Sequence, residues 1–323
     1  MARILTGVQS TGTPHLGNLL GAIIPAIEMS NQSTDDSFLF IADLHALTQI
    51  KDADQIKANT YATAAAWLAC GLDPKKTVFY RQSDVPQVTE LTWYLNCFFP
   101  YSRLSLAHSF KDKADRMEDV NAGLFTYPML MAADILLYDA QKVPVGKDQL
   151  QHLEMTRDVA SRFHAQFGET FVLPEAVLRE SNMHVPGTDG GKMSKSKNNT
   201  IDVFLTEKQL RKQVMSIATD STPLEQPKNH DNCTVFSLYS MIADEDAVKN
   251  MRQQYESGGF GYGDAKQALF EALMDKFSLA RTQFNKYKEN PKQMDQILHQ
   301  GAKRAKSVAN KTLKRVRKSL GFY

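Results

Sequence analysis

Two rhythms of apolar residues run along the chain. Up to about residue 200, short densely apolar runs alternate with longer stretches of helical spacing; from Thr206 onward only helical spacing remains. Arg3–Gln9, Ser37–Leu44 and Thr77–Arg81 read as buried strands. Leu19–Met29 reads as a helix, with Leu19, Leu20, Ile23, Ile24 and Ile27 on one stripe, and Asp52–Cys70 as an alanine-rich helix closed by Gly71. Strand starts near 3, 37 and 77 predict repeated β-α-β units and a parallel sheet with right-handed crossovers. Residues 86–139 are predicted mostly helical, Lys142–Gly146 a short strand, and Asp148–Phe167 an amphipathic helix ended by Gly168. Residues 181–200, rich in Gly, Lys, Ser and Asn, predict a mobile loop. The fold class is therefore α/β: a Rossmann-like parallel-sheet domain over 1–202, with a helical insert at about 86–135, and an all-helical C-terminal domain over 203–323.

Composition adds limits. Hydrophobic residues at 42% and charged residues at 23% are ordinary for a globular chain, so the core needs no staples. The three cysteines, Cys70, Cys97 and Cys233, lack metal-binding spacing and read as free thiols of a reducing compartment. The N-terminus lacks the apolar run of a signal peptide, and no stretch approaches the roughly 20 apolar residues of a membrane span, so a cytoplasmic protein is expected. The net charge of +2 says little, but its distribution matters. Residues 301–323 carry Lys303, Arg304, Lys306, Lys311, Lys314, Arg315, Arg317 and Lys318 and no acid. On a helix Arg304, Lys311, Arg315 and Lys318 share a face, a stripe suited either to solvent or to phosphates.

Two motifs suggest phosphate chemistry. After the first strand, Gly12-Thr13-Pro14-His15-Leu16-Gly17-Asn18 leads into a helix, and such a turn offers backbone N–H groups and a helix dipole to an anion. Much later comes Gly190-Gly191-Lys192-Met193-Ser194-Lys195-Ser196, a glycine-loosened loop whose lysines can neutralise a triphosphate. HLGN resembles the first signature, and KMSKS matches the second, of the class I aminoacyl-tRNA synthetases. That resemblance implies that ATP is held by both motifs, through His15, Gly17, Asn18, Lys192 and Lys195.

Within the otherwise apolar segment 127–138, Pro128 suits the first turn of a helix, and Tyr127, Met131 and Asp134 then lie on one face. A buried carboxylate needs a donor: Asp134 is either a capping or ion-paired acid, or a pocket acid for a ligand N–H. An indole N–H would satisfy it, with Met131 packed on the ring. The segment GLFTYPMLMAADILLYDAQKVPVGKDQLQHLEMTRD, with GVQSTG and ADLHALT, resembles the tryptophanyl-tRNA synthetases in particular; a tyrosyl enzyme on the same plan and a non-catalytic RNA- or tryptophan-binding paralogue are the alternatives. By that similarity Asp134 and Met131 read indole, Leu5, Gly7, Val143 and Val145 form pocket wall, and His45 stands near the mouth. Tyr127, Gln149 and Gln9 would bind the ammonium and carboxylate. ATP would meet Gln9, Ser10, Gly12, Gly146, Lys147 and Asp148, and the loop residues Met193, Ser194 and Ser196. Lys192, Lys195 and Lys113 would be the catalytic cations, with Mg2+ arriving on ATP and no protein metal site. Lys147 departs from the usual Glu of the family. The resemblance also implies a homodimer through 86–135, and tRNA as partner of Arg304, Lys311, Arg315 and Lys318.

Overall fold

The computed structural model describes residues 2–107, 120–146, 149–178 and 184–322. Its sheet is wholly parallel, with strands β1 (Arg3–Gln9), β2 (Asp36–Ala42), β3 (Val78–Arg81), β4 (Lys142–Val145) and β5 (Glu175–Leu178) in the spatial order β3-β2-β1-β4-β5. Phe38, Phe40, Val78 and Tyr80 face one apolar cluster, while Leu39, Ile41 and Phe79 face another, the two-residue alternation of a strand buried on both sides. β5 has no counterpart among the predicted strands. It is a short edge strand with Glu175, Ala176 and Val177 exposed, so no buried alternation marks it.

Among the described residues the helices of the first half are α1 (Leu16–Asn18), α2 (Ile24–Gln32), α3 (Asp43–Ala46), α4 (Ala53–Ala69), α5 (Gln87–Phe98), α6 (Tyr101–Leu104), α7 (Ala122–Leu136) and α8 (Leu150–Phe167). A π-helical segment, Leu19–Ile23, joins α1 to α2. α4 starts where the Asp52 carboxylate accepts from the Gln55 N–H at 2.7 Å. α7 starts earlier than Pro128 suggests: Asn121 caps it by accepting from the Leu124 N–H at 3.1 Å, so Pro128 sits inside the helix rather than in its first turn. Lacking an N–H, Pro128 leaves the Leu124 carbonyl without its helical donor.

From residue 207 the regular elements of the described chain are all helices, α9 (Glu207–Met215), α10 (Thr234–Ile242), α11 (Glu245–Ser257), α12 (Tyr262–Lys276), α13 (Ser278–Glu289) and α14 (Pro291–Ser319), with a long irregular connection over 216–233. The expected division at 202–203 marks a change of secondary structure but no break in packing. Leu210, Phe236, Leu269 and Leu298 belong to the same cluster as Leu39, Trp67 and Phe79. Ala302, Ala305, Ala309, Leu313 and Val316 of α14 belong to the cluster on the other face. α14 thus lies along β3, covering an edge that would otherwise expose unpaired backbone. Gly301 permits the approach: a Cβ there would overlap the Phe79 carbonyl oxygen.

Candidate active site

Strand order reverses between β1, which leads outward to β2, and β4, which leads outward to β5. In open parallel sheets the crevice at the carboxyl ends of such strands is where ligands bind. A cavity of about 600 Å3 lies there. Its lining includes every residue expected to hold the amino acid: Leu5, Gly7, Gln9, His45, Tyr127, Met131, Asp134, Val143, Val145 and Gln149, together with Gly146. A side chain at Gly7 would run into the Phe40 ring, so glycine there lets that ring pack against β1. Phe40, Ala42, Ile135 and Pro144 complete the apolar wall.

Asp134 is 3% exposed. The sequence left it either paired or waiting for a ligand; the structure gives it protein partners. His45 Nε2 lies 3.0 Å from its Oδ2, and Gln82 Nε2 donates to both oxygens at 2.9 and 2.8 Å. A carboxylate offers about four acceptor positions, and Oδ1 makes only one of these bonds, so it can still accept from a ligand. Burial raises the Asp134 pKa, and the hydrogen bonds from His45 and Gln82 oppose that rise. Tyr127, on the same face of α7, is bonded through its hydroxyl to His152 Nε2 at 2.8 Å and meets the His45 ring edge-on.

The phosphate corner stands at the same carboxyl end of β1, on the turn that follows Gln9. His15 caps α1: its Nδ1 accepts from the Asn18 N–H at 3.3 Å, and the Asn18 side chain accepts from the His15 N–H at 3.2 Å. With Nδ1 an acceptor, a neutral ring carries its proton on Nε2 as a donor. Burial, then the charge of Lys195, lowers the His15 pKa to about 4, so the ring is neutral at pH 7. Residues 184–200 are better ordered by hydrogen bonds than a bare mobile loop. Asn199 donates to Asp189 and to the Lys192 carbonyl and accepts from the Ser194 N–H; Pro186 bridges Lys192; Ser194 and Ser196 hydroxyls pair at 2.9 Å. The loop sits on the first motif: the Gly17 N–H meets Met193 Sδ at 3.3 Å, and Lys195 Nζ donates to the Thr11 carbonyl at 3.1 Å. A Cβ at Gly12, whose φ is +117°, would lie 2.9 Å from Lys195 Nζ. HLGN and KMSKS, far apart in sequence, therefore form one corner. Lys192 is exposed beside it. Ser10 is buried and accepts from Thr60 at 3.3 Å, so its hydroxyl points into the protein's own packing.

Lys113, Lys147 and Asp148 lie outside the described residues. The basic stripe on α14 is rearranged relative to expectation. Arg304 donates to the carbonyls of Pro74, Lys75, Lys76 and Thr77, and Arg315 pairs with Asp139 at 2.5 Å and donates to Thr170. Both guanidiniums clasp the helix to the body, and the outward row is Lys303, Lys311, Lys314 and Lys318. The sequence reading missed Gln82, Asp43 and His152, which hold the pocket from behind. A polar residue directly after a buried strand is the one signal that Gln82 gave.

Residues 1–278 match the family described as tRNA synthetases class I (W and Y). A tryptophan–tRNA ligase of Campylobacter jejuni is 46% identical over 320 residues, 99% of this chain and 100% of that protein. One of Fusobacterium nucleatum is 45% identical over 323 residues, 100% of this chain and 98% of that one. The solved structure of the Campylobacter jejuni tryptophanyl-tRNA synthetase complexed with ADP and tryptophan superposes with a TM-score of 0.95 at 46% identity, over 99% of this chain and 100% of that one. The Mycoplasma pneumoniae tryptophanyl-tRNA synthetase does so with a TM-score of 0.81 at 28% identity, over 100% and 98%.

Proposed function

The chain belongs to the class I tRNA synthetases of the W and Y family, and from that premise we propose how its site works. It is a tryptophan–tRNA ligase: it activates L-tryptophan with ATP to tryptophanyl-adenylate and pyrophosphate, then transfers tryptophan to the 3′ end of tRNA. The observation that carries this reading is one cavity with an apolar wall and a single buried acid, opening beside a lysine-lined corner built from both nucleotide motifs.

Tryptophan lies with its indole against Met131, Val143 and Val145 and its ring N–H on Asp134. Phenylalanine offers no such donor and would leave the acid short of a partner, a mismatch that costs more than a lost methylene. Gln9, Tyr127 and Gln149 hold the ammonium and carboxylate. The tryptophan carboxylate, ionised at pH 7, is the nucleophile, so activation needs no general base. Lys192 and Lys195 neutralise charge on the phosphates, and His15 offers Nε2–H without adding a charge. Lys113, Lys147 and Asp148 are proposed for the same nucleotide. Mg2+ enters on the triphosphate, as it commonly does, rather than in a protein cage.

The outward lysines of α14 face the tRNA, and 203–323 is the proposed anticodon-binding region. Trp93 (68% exposed), Tyr101 (75% exposed) and Leu106 are large apolar side chains left exposed within the 86–135 stretch proposed for a homodimer contact, which sedimentation would detect. No helix among the described residues is long and apolar enough to cross a membrane, and the three free cysteines fit a cytoplasmic setting. ATP–pyrophosphate exchange measured with each amino acid tests the reading. Exchange driven by tryptophan alone is expected; exchange driven by tyrosine would move the chain to the other branch of its family, and none at all would remove it from catalysis.

A further inference from the structure

Gln82 directly follows β3 and is 1% exposed. Its Nε2 donates to Oδ1 and Oδ2 of Asp134, and its Oε1 accepts from the Leu44 N–H at 3.2 Å. The contact with Leu44 fixes the sense of the amide, since an oxygen on an N–H puts the NH2 against the carboxylate. The Leu44 N–H also reaches Asp43 Oδ1 at 3.1 Å, and Asp43 accepts from the Ser83 N–H at 2.9 Å. The ends of β2 and β3 are thereby tied together, and Gln82 joins the pair to α7.

An aspartate carboxylate turns easily about its terminal torsion. A donor shared almost equally by both oxygens lies near the axis of that torsion and fixes where the carboxylate head sits, while His45, bonded to Oδ2 alone, fixes its turn. We propose that Gln82 is a specificity-determining positioning residue. It anchors the head of the Asp134 carboxylate, whose turn His45 sets, so that Oδ1 meets a ligand ring N–H, and it thereby sets discrimination against an isosteric side chain lacking that N–H. The inference rests on the reading of Asp134 given above. Gln82 acts through Asp134 and does not touch the substrate. Among the described residues the titratable groups that face or lie close to the same carboxylate are His45 and Asp43 from α3, Tyr80 from β3, and Tyr138 beyond α7.

The test compares tryptophan with its benzothienyl analogue, in which sulfur replaces the ring N–H, by pyrophosphate exchange. Gln82→Met keeps the volume and removes the donors. Its preference for tryptophan over the analogue should fall by about tenfold or more, the effect of losing a well-placed buried hydrogen bond. ATP KM should stay near the parent value. Equal losses for both amino acids would mean that Gln82 only fills space, and would overturn the proposal. Gln82→Glu keeps the acceptor for Leu44 but sets a second carboxyl beside Asp134. One shared proton restores a donor at low pH, so its kcat/KM for tryptophan should drop as pH rises from 6 to 8.5 more steeply than the parent's; a parent-like profile would overturn the proposal. Asp134→Ala separates the two levels. If that variant loses discrimination while Gln82→Met keeps it, only the role of Gln82 fails; if it too keeps discrimination, the reading of Asp134 fails.

Discussion

Replacing Gly301 with alanine tests how α14 is seated. In most helix interiors that change is stabilising by about 1 kcal/mol, because alanine orders more cheaply than glycine. Here the new methyl would overlap the Phe79 carbonyl oxygen in β3. A flexible side chain could swing aside, but a strand backbone cannot move without its neighbours. Overpacking of this kind costs about 1–3 kcal/mol, and a backbone obstacle belongs at the upper end. About 3 kcal/mol less about 1 leaves a net loss of ~2 kcal/mol. For domains of a few hundred residues that corresponds to a fall in Tm of about 3–6 °C. Gly263→Ala is the matched control, since it also lies in a helix, α12, and its added Cβ meets nothing within 4 Å. Thermal unfolding followed by circular dichroism should show the control at or above the parent Tm and Gly301→Ala below it. A Gly301→Ala protein as stable as the control would refute the close contact between α14 and β3.

Three further outcomes are expected. Lys195→Ala should slow adenylate formation by roughly 10²–10³, as when one preorganised donor is lost, with a smaller effect on ATP affinity, whereas exposed Lys197→Ala should change little; pre-steady-state kinetics showing only weakened ATP binding for Lys195→Ala would reduce the loop to a binding element. Neutralising Lys303, Lys311, Lys314 and Lys318 together should raise the KM for tRNA and flatten its salt dependence without slowing activation, while Arg304→Ala should instead lower Tm, because its guanidinium serves four backbone carbonyls; an equal loss of activation and charging in the lysine variant would rule out the tRNA assignment. His15 binds its proton near pH 4 in the fold against 6.5 ordinarily, so between those values the unfolded chain takes up more protons and the stability present above pH 6.5 is lost as pH falls toward 4; Tm measured across that window should fall less in His15→Asn, which keeps a capping side chain, and identical slopes would contradict the lowered pKa.

What the sequence disclosed follows from what a local pattern can carry. β2 and β3 were legible because strands buried on both faces are densely apolar, β1 by its buried Ile4-Leu5 start, and α4 because Asp52 and Gly71 punctuate it. β5 was not, since its exposed residues carry no alternation. The start of α7 was misplaced because Pro128 looks like a first-turn residue, while the cap is Asn121. The two nucleotide motifs were legible as motifs; that Met193 and Lys195 rest on Gly17 and Thr11 was not, because no periodicity links them. The pocket acid stood out as one carboxylate in an apolar helix, but its partners His45 and Gln82 lie 89 and 52 residues away. The helical wheel of α14 put Arg304, Lys311, Arg315 and Lys318 on one face. It could not show that Pro74–Thr77 and Asp139 wait on its flank for Arg304 and Arg315.

β3 connects these parts more closely than the motif pattern suggests. Within four consecutive residues it offers the Phe79 carbonyl to Gly301, ties Arg81 to Asp295 of α14 at 2.9 Å, and ends at Gln82 on Asp134. The helix proposed to meet tRNA and the side chain proposed to fix amino-acid choice are thus held by one short strand. The phosphate corner hangs from β1 and the 184–200 loop instead. A displaced α14 should therefore disturb tryptophan recognition before nucleotide binding. In Gly301→Ala, below its Tm, the KM for tryptophan should rise by several-fold while that for ATP stays close to the parent value. Equal changes in both would place the disturbance in the whole domain rather than along β3.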